Sequence, residues 1–211
     1  MTQTSQVHNT LIGTLWPSSA GADAMPNALM RNVVLAMVGT LFLTLAAKIQ
    51  VPLWPVPMTF GTLAVLMVGM AYGWRLAGAT LMLYMAQGAI GLPVFAGTPE
   101  KGIGLAYMMG GTGGYLIGYV LAAMAVGWLA EKGWDRTILG AALAMLIGNA
   151  LIYIPGVMWL GALLGWDKPV LEWGFTPFIL GDVIKLGLAM FLMPLAWHLL
   201  GKRSHSQDTD T

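Results

Sequence analysis

Apolar residues run through this chain in long uncharged stretches, and the charges fall between them. From Arg31 onward the uncharged runs are 32–47, 49–74, 76–99, 103–130, 137–166 and 186–201. A helix needs about 20 mostly apolar residues to cross the hydrocarbon of a bilayer, and these runs approach or exceed that length. They predict six helices, over 30–48, 58–74, 76–92, 108–130, 137–163 and 178–200. Gly and Pro recur inside them, as membrane helices tolerate when neighbours satisfy the freed backbone groups. No soluble segment interrupts the series. The expected fold class is therefore an all-α integral membrane protein: one six-helix domain over 30–200, with a loose N-terminal tail over 1–29 and a polar C-terminal tail over 201–211. The tail's one apolar patch, Leu11–Trp16, suits a lipid interface.

Two connectors do not read as plain loops. Val51–Pro57 holds Pro52, Pro55 and Pro57, so it cannot be helical and should form a stiff extended strap. Residues 91–115 are Gly-rich yet carry Leu92, Val94, Phe95 and Tyr107. Irregular backbone near membrane depth packs on protein or lines a cavity, so both connectors are expected to cap a pocket. Gly110, Gly114 and Gly118 are spaced by four, as are Gly69 and Gly73, which makes flat faces for close helix packing.

Composition removes most other function classes. Only 9% of the residues are charged and 57% are apolar, where soluble domains carry about 25% charged residues. A net charge of +1 offers no basic surface, so no nucleic-acid partner is expected. There is no Cys, the five Ser lie near the ends, and of three His two lie in the tails. No metal site, cofactor or enzymatic centre is expected, and no phosphate loop is present that would hydrolyse ATP. With six spans the termini share a side. Arg31, Arg75, Lys132, Arg136, Lys202 and Arg203 lie on it, against Lys48, Lys101 and Lys168 opposite. The excess places both termini in the cytoplasm. Trp54, Trp166 and Trp173 then mark the outer interface, and Trp74, Trp134 and Trp197 the inner one.

The informative polar residues are those inside the spans. Asp182 and Lys185 lie early in the sixth helix at i and i+3, on one face. Each is costly in lipid, so the pair faces the bundle interior, either as a mutual ion pair or as an anchor for a bound solute. Gln87, Asn149 and Tyr153 are the other intramembrane polar groups besides threonines, and each suits an interhelical hydrogen bond or a place in the same cavity.

Taken together, Val51–Thr59, Tyr84–Gly97, Gly110–Leu116, Asn149–Trp159 and Pro177–Lys185 resemble the BioY family, the biotin-specific substrate-binding subunits of energy-coupling factor transporters. The specific pieces are Gly91-Leu-Pro-Val-Phe-Ala-Gly97, Gly113-Gly-Tyr-Leu116 and Gly181-Asp-x-x-Lys185. The resemblance implies capture of biotin from outside a bacterial inner membrane. It also implies partners, namely a membrane coupling subunit and two cytoplasmic ATPases; self-association is left open. Asp182 and Lys185 are the implied biotin contacts, and the candidate set adds Phe95, Tyr115, Thr59, Gln87 and Asn149. In the family the first helix docks on the coupling subunit through small residues four apart; the nearest stripe here is Ala36, Thr40 and Thr44. Another vitamin on the same scaffold, or a membrane subunit with no ligand, are the competing readings. The Asp-x-x-Lys and Gly-Leu-Pro-Val-Phe pieces speak against the first of these.

Overall fold

The structure is a computed structural model that describes residues 10–16, 24–51, 54 and 56–207. Its elements in chain order are α1 (Leu11–Leu15), α2 (Ala24–Lys48), β1 (Gln50–Val51), β2 (Met58–Thr59), α3 (Gly61–Tyr72), α4 (Trp74–Ala89), α5 (Gly104–Met108), α6 (Gly113–Glu131), a 3-10 turn (Trp134–Arg136), α7 (Ile138–Leu164), α8 (Val170–Gly174), a second 3-10 turn (Thr176–Phe178) and α9 (Ile179–Gln207). Among the described residues four segments are long and apolar enough to cross a membrane: 27–48, 113–131, 138–164 and 170–199.

The helices expected over 58–74 and 76–92 form, but shorter, as α3 with 12 residues and α4 with 16. The strap shortens α3. Gln50 pairs with Thr59 and Val51 with Met58 in an antiparallel ladder, which takes residues 58 and 59 out of the helix. Gly73, at φ 78°, then turns the chain sharply into α4, a conformation that favours glycine. Both ends of the chain also differ from the expected tails. Thr10 caps α1 by accepting from the Gly13 N–H at 3.2 Å, and Leu11 is buried in the core. Arg31 Nη2 donates to the Ile12 carbonyl at 3.2 Å, which holds α1 against α2. α2 begins at Ala24 and α9 continues to Gln207. Residues 1–9, 17–23 and 208–211 of the expected tails lie outside the described residues.

Helix α6 is the central element, packed on α3, α4 and α7. Its glycines explain why. A Cβ on Gly118 would stand 2.7–2.8 Å from the backbone of Leu151 and Ile152 on α7, and one on Gly114 would meet Pro155 and Trp159. On the opposite side Gly69 of α3 lies against the Ala123 backbone, and Gly127 of α6 against the Gly73–Trp74 corner. Backbones this close exchange side-chain volume for dispersion contact, the form of helix association that works where solvent is apolar. Gly110 belongs to the loop before α6, where its carbonyl accepts from Trp159 Nε1 at 2.9 Å.

One end of the bundle is closed by polar corners. Glu131 Oε1 accepts from the Trp74 backbone N–H at 3.2 Å, which caps the start of α4 with the end of α6. Cations stack on tryptophans there: Arg75 on Trp74 at 5.1 Å, Lys132 on Trp128 at 3.4 Å and Arg136 on Trp197 at 4.5 Å. At the other end Trp54 of the strap meets Trp173 of α8 edge to face at 5.2 Å.

These contacts predict opposite outcomes for two helix glycines. Gly118→Ala forces a methyl into α7 backbone and should lower stability in detergent by about 1–3 kcal/mol. Gly187→Ala on α9 meets nothing within 4 Å and should be neutral or stabilising, by up to about 1 kcal/mol of helix propensity. Thermal unfolding of both variants checks the pair.

Candidate functional site

The buried polar pair organises the site. Asp182 and Lys185 project from the first two turns of α9 and are 8% and 6% exposed. Lys185 Nζ lies 3.1 Å from Asp182 Oδ1 and donates to Thr62 Oγ1 on α3 at 2.9 Å. The Tyr153 hydroxyl on α7 donates to the other carboxylate oxygen, Asp182 Oδ2. Three helices are thus tied together by one ion pair. Each charge has an opposite charge and a further hydrogen bond, as groups withdrawn from water require.

Lys185 also forms part of the wall of a cavity that opens at one mouth. The strap contributes Val56 and Pro57, and the 91–112 loop contributes Phe95, Ala96, Tyr107 and Thr112. Thr59, Thr62, Tyr84, Tyr115, Tyr119, Tyr153 and Phe178 complete most of the remaining wall. The surface is largely aromatic, with hydroxyls and one ammonium placed among the rings. Such a lining suits a small ligand with an apolar body and a few hydrogen-bonding groups. The Thr112 Oγ1 atom is buried and has no hydrogen-bond partner among the described residues.

The loop wall is held by several ring and carbonyl contacts. Phe95 is 1% exposed, stacks on Tyr107 at 5.2 Å and meets Tyr84 edge to face at 5.3 Å. Its ring lies where a Cβ on Gly88 would be, 2.1 Å away, so α4 needs glycine at that turn. The Tyr84 hydroxyl donates to the Val94 carbonyl at 2.9 Å and the Tyr107 hydroxyl to the Ala96 carbonyl at 2.6 Å. Lys48, at the end of α2, donates to the carbonyls of Phe95 at 3.0 Å and Thr98 at 2.7 Å. On the other side the Tyr115 hydroxyl donates to the Gly174 carbonyl at 2.7 Å, which ties α6 to α8.

Of the residues singled out in the sequence, Phe95, Tyr115, Thr59 and Lys185 line the cavity, and Asp182 stands behind Lys185 and Tyr153. Gln87 is elsewhere: its Nε2 donates to Thr40 Oγ1 at 3.3 Å, between α4 and α2. Asn149 is half-buried on α7, one helical turn from Tyr153, and is not part of the cavity wall. Either residue satisfies spacing rules that cannot tell one helix face from the next. The small-residue stripe on α2 is turned inward. Ala36 and Thr40 are buried, and Gly39 approaches Thr80 and Tyr72. Gln87 of α4 reaches Thr40 from one side.

The tyrosines are the cavity residues that the sequence pattern underweights. Five of the chain's six, all but Tyr72, line this cavity. A phenol inside an apolar helix needs a partner for its hydroxyl, and Tyr115 and Tyr119, four apart on α6, share one face. That spacing is the signal by which they could have been found.

The BioY family model matches residues 17–202. A probable biotin transporter BioY of Pyrococcus horikoshii is 34% identical over 149 residues, covering 71% of this chain and 85% of that protein. The biotin transporter BioY of Thermotoga maritima is 34% identical over 163 residues, covering 77% and 94%. Among solved structures, the S-component for biotin from an ECF-type ABC transporter superposes with a TM-score of 0.68 at 23% identity, covering 83% of this chain and 93% of that one; at that identity it shows the fold. The chain is a multi-pass membrane protein and belongs to the BioY family.

Proposed function

We propose that this chain captures biotin in the aromatic cavity and passes it inward together with an ATP-driven partner module. The observation that carries this reading is Lys185, a buried cation with Asp182 and Thr62 on two of its three donor positions and a cavity against the third. The ureido ring of biotin offers one carbonyl acceptor and two N–H donors. Lys185 donates to the carbonyl. Asp182, whose carboxylate has acceptor sites beyond those used by Lys185 and Tyr153, accepts from a ring N–H at the edge between them. The apolar bicycle and side chain lie among Phe95, Tyr115, Tyr119 and Phe178. Curated relatives named as biotin transporters support this choice of ligand over another vitamin.

The finer architecture follows in the same reading. α3 and α4 join the four longer segments as six spans, with both termini in the cytoplasm and the strap and 91–112 loop as outer caps. The partner module is a membrane coupling subunit with two cytoplasmic ATPases, consistent with the absence of any phosphate loop in this sequence. With Ala36 and Thr40 buried, the surface that α2 offers a coupling subunit is the exposed one carrying Val34, Met37, Val38 and Leu41.

Calorimetric titration of the purified chain with biotin should give submicromolar affinity. Micromolar binding corresponds to about 8 kcal/mol, and a ligand of roughly 16 heavy atoms can exceed that in an enclosed site. A flat titration beside a clear signal for another vitamin would overturn the assignment. The topology is read separately, because the native chain has no cysteine. A Glu172→Cys variant should react with an impermeant maleimide in intact cells, and a Ser204→Cys variant only after permeabilisation. The reverse pattern would invert the orientation.

A further inference from the structure

The corner between α6 and α7 buries a carboxyl group that the ligand cavity does not use. Asp135 sits in the 3-10 turn Trp134–Arg136 and is 0% exposed. Its Oδ2 accepts from Trp197 Nε1 on α9 at 2.6 Å. Its Oδ1 is buried and meets no donor among the described residues. An ionised carboxylate withdrawn from water normally gathers a cation or several N–H groups, and among the described residues the only side-chain donor to this one is an indole.

The surrounding charges are committed elsewhere. Arg136, the next residue, lies over the Trp197 ring at 4.5 Å. On α6, Glu131 directs Oε1 to the Trp74 N–H, and Lys132 beyond it stacks on Trp128. On α7 the sole ionisable side chain is Tyr153, four turns away at the ligand cavity. On α9, Asp182 and Lys185 pair with each other at the opposite end, His198 is exposed, and Lys202 and Arg203 lie past the residues whose side chains are described. Among the described side chains, none neutralises the carboxylate by direct contact.

We propose that Asp135 is a proton-binding site whose titration sets how firmly the α6–α7 corner holds the far end of α9. A bound proton removes the buried charge. Its loss leaves a carboxylate that, among the described residues, only the indole, the local backbone and the offset Arg136 stabilise. Burial pushes the Asp135 pKa up from 3.8 to about 6, and the Trp197 hydrogen bond, its own backbone N–H and Arg136 pull more weakly the other way. The folded chain therefore binds this proton more tightly than the unfolded one. The stabilisation is complete below the unfolded value near 3.8, is lost as pH rises through about 6, and is absent above it. Two pH units correspond to about a hundredfold change in the folding constant.

The site is remote from Lys185, so its test does not depend on the ligand. Infrared titration of the full chain in detergent should show a protonated-carboxyl band with a midpoint near pH 6 that Asp135→Asn removes. The unfolding midpoint of the native chain, relative to that variant, should fall between pH 4 and pH 7. Trp197→Phe withdraws the one strong donor to the ionised form and should raise the midpoint; Arg136→Gln should shift it the same way. These two variants read the site in chains that keep Asp135, should Asp135→Asn fail to fold. A band that titrates below pH 4.5, or a midpoint unmoved by both Trp197→Phe and Arg136→Gln, would overturn the proposal.

Discussion

An ion pair placed inside an apolar helix constrains everything around it. Asp182 and Lys185 lie in the first turns of α9, and neither charge is stable alone in a membrane interior. Their mutual contact at 3.1 Å does not by itself replace the lost hydration. The remaining hydrogen-bonding capacity has to be met from other helices, and Thr62 of α3 and Tyr153 of α7 supply it. Bringing those two groups to α9 fixes the relative placement of α3, α7 and α9 at one depth. Removing one member of such a buried pair typically costs about 3–5 kcal/mol, because the other is left uncompensated. The pair is therefore both a structural tie and a source of directed polarity in an otherwise aromatic cavity.

The cavity exists because the helices around it approach closely elsewhere. Gly114 and Gly118 let α6 lie on the backbone of α7, and Gly69 lets α3 lie on α6. Gly88 leaves room for Phe95, which the loop inserts between Tyr84 and Tyr107. Lys48, an exposed cation at the end of α2, holds that loop by its carbonyls. Close helix packing on one side and a hydrogen-bonded aromatic loop on the other give the cavity a defined wall. Such preorganisation favours tight binding of a small molecule.

Much of this architecture is legible in the sequence, for particular reasons. The long apolar helices follow from the spacing of charges, which fall near their ends. The break between α2 and α3 is expected from Pro52, Pro55 and Pro57, of which Pro52 and Pro55 lie outside the described residues. The polar pair stands out because a charge inside an apolar run has to be paired or bound. What is not legible depends on which way a helix is turned. Gln87 and Asn149 lie inside helices as expected, yet one faces α2 and the other sits a turn from the cavity. Gly39 of α2 packs on Thr80 of α4 and Tyr72 of α3, because a stripe that permits close approach does not name the helix that approaches. α3 and α4 are shorter than hydropathy implies, since hydropathy does not register a two-residue strand or a glycine turn. The packed α1 depends on contacts from Arg31 and the core that no local pattern reports.

The central claim is that the Asp182–Lys185 pair anchors the ligand and is not only a brace between helices. A double-mutant cycle on biotin affinity, measured by calorimetry with Asp182→Asn, Lys185→Met and the two combined, tests it most directly. Loss of a charged hydrogen bond in a buried site costs about 1.5–3 kcal/mol, so each single change should weaken binding roughly ten- to a hundredfold. The combined variant, which leaves no charge unpaired, should stay as weak as either single change or weaker. Recovery of the native affinity in the combined variant would contradict the account and leave the pair a brace alone.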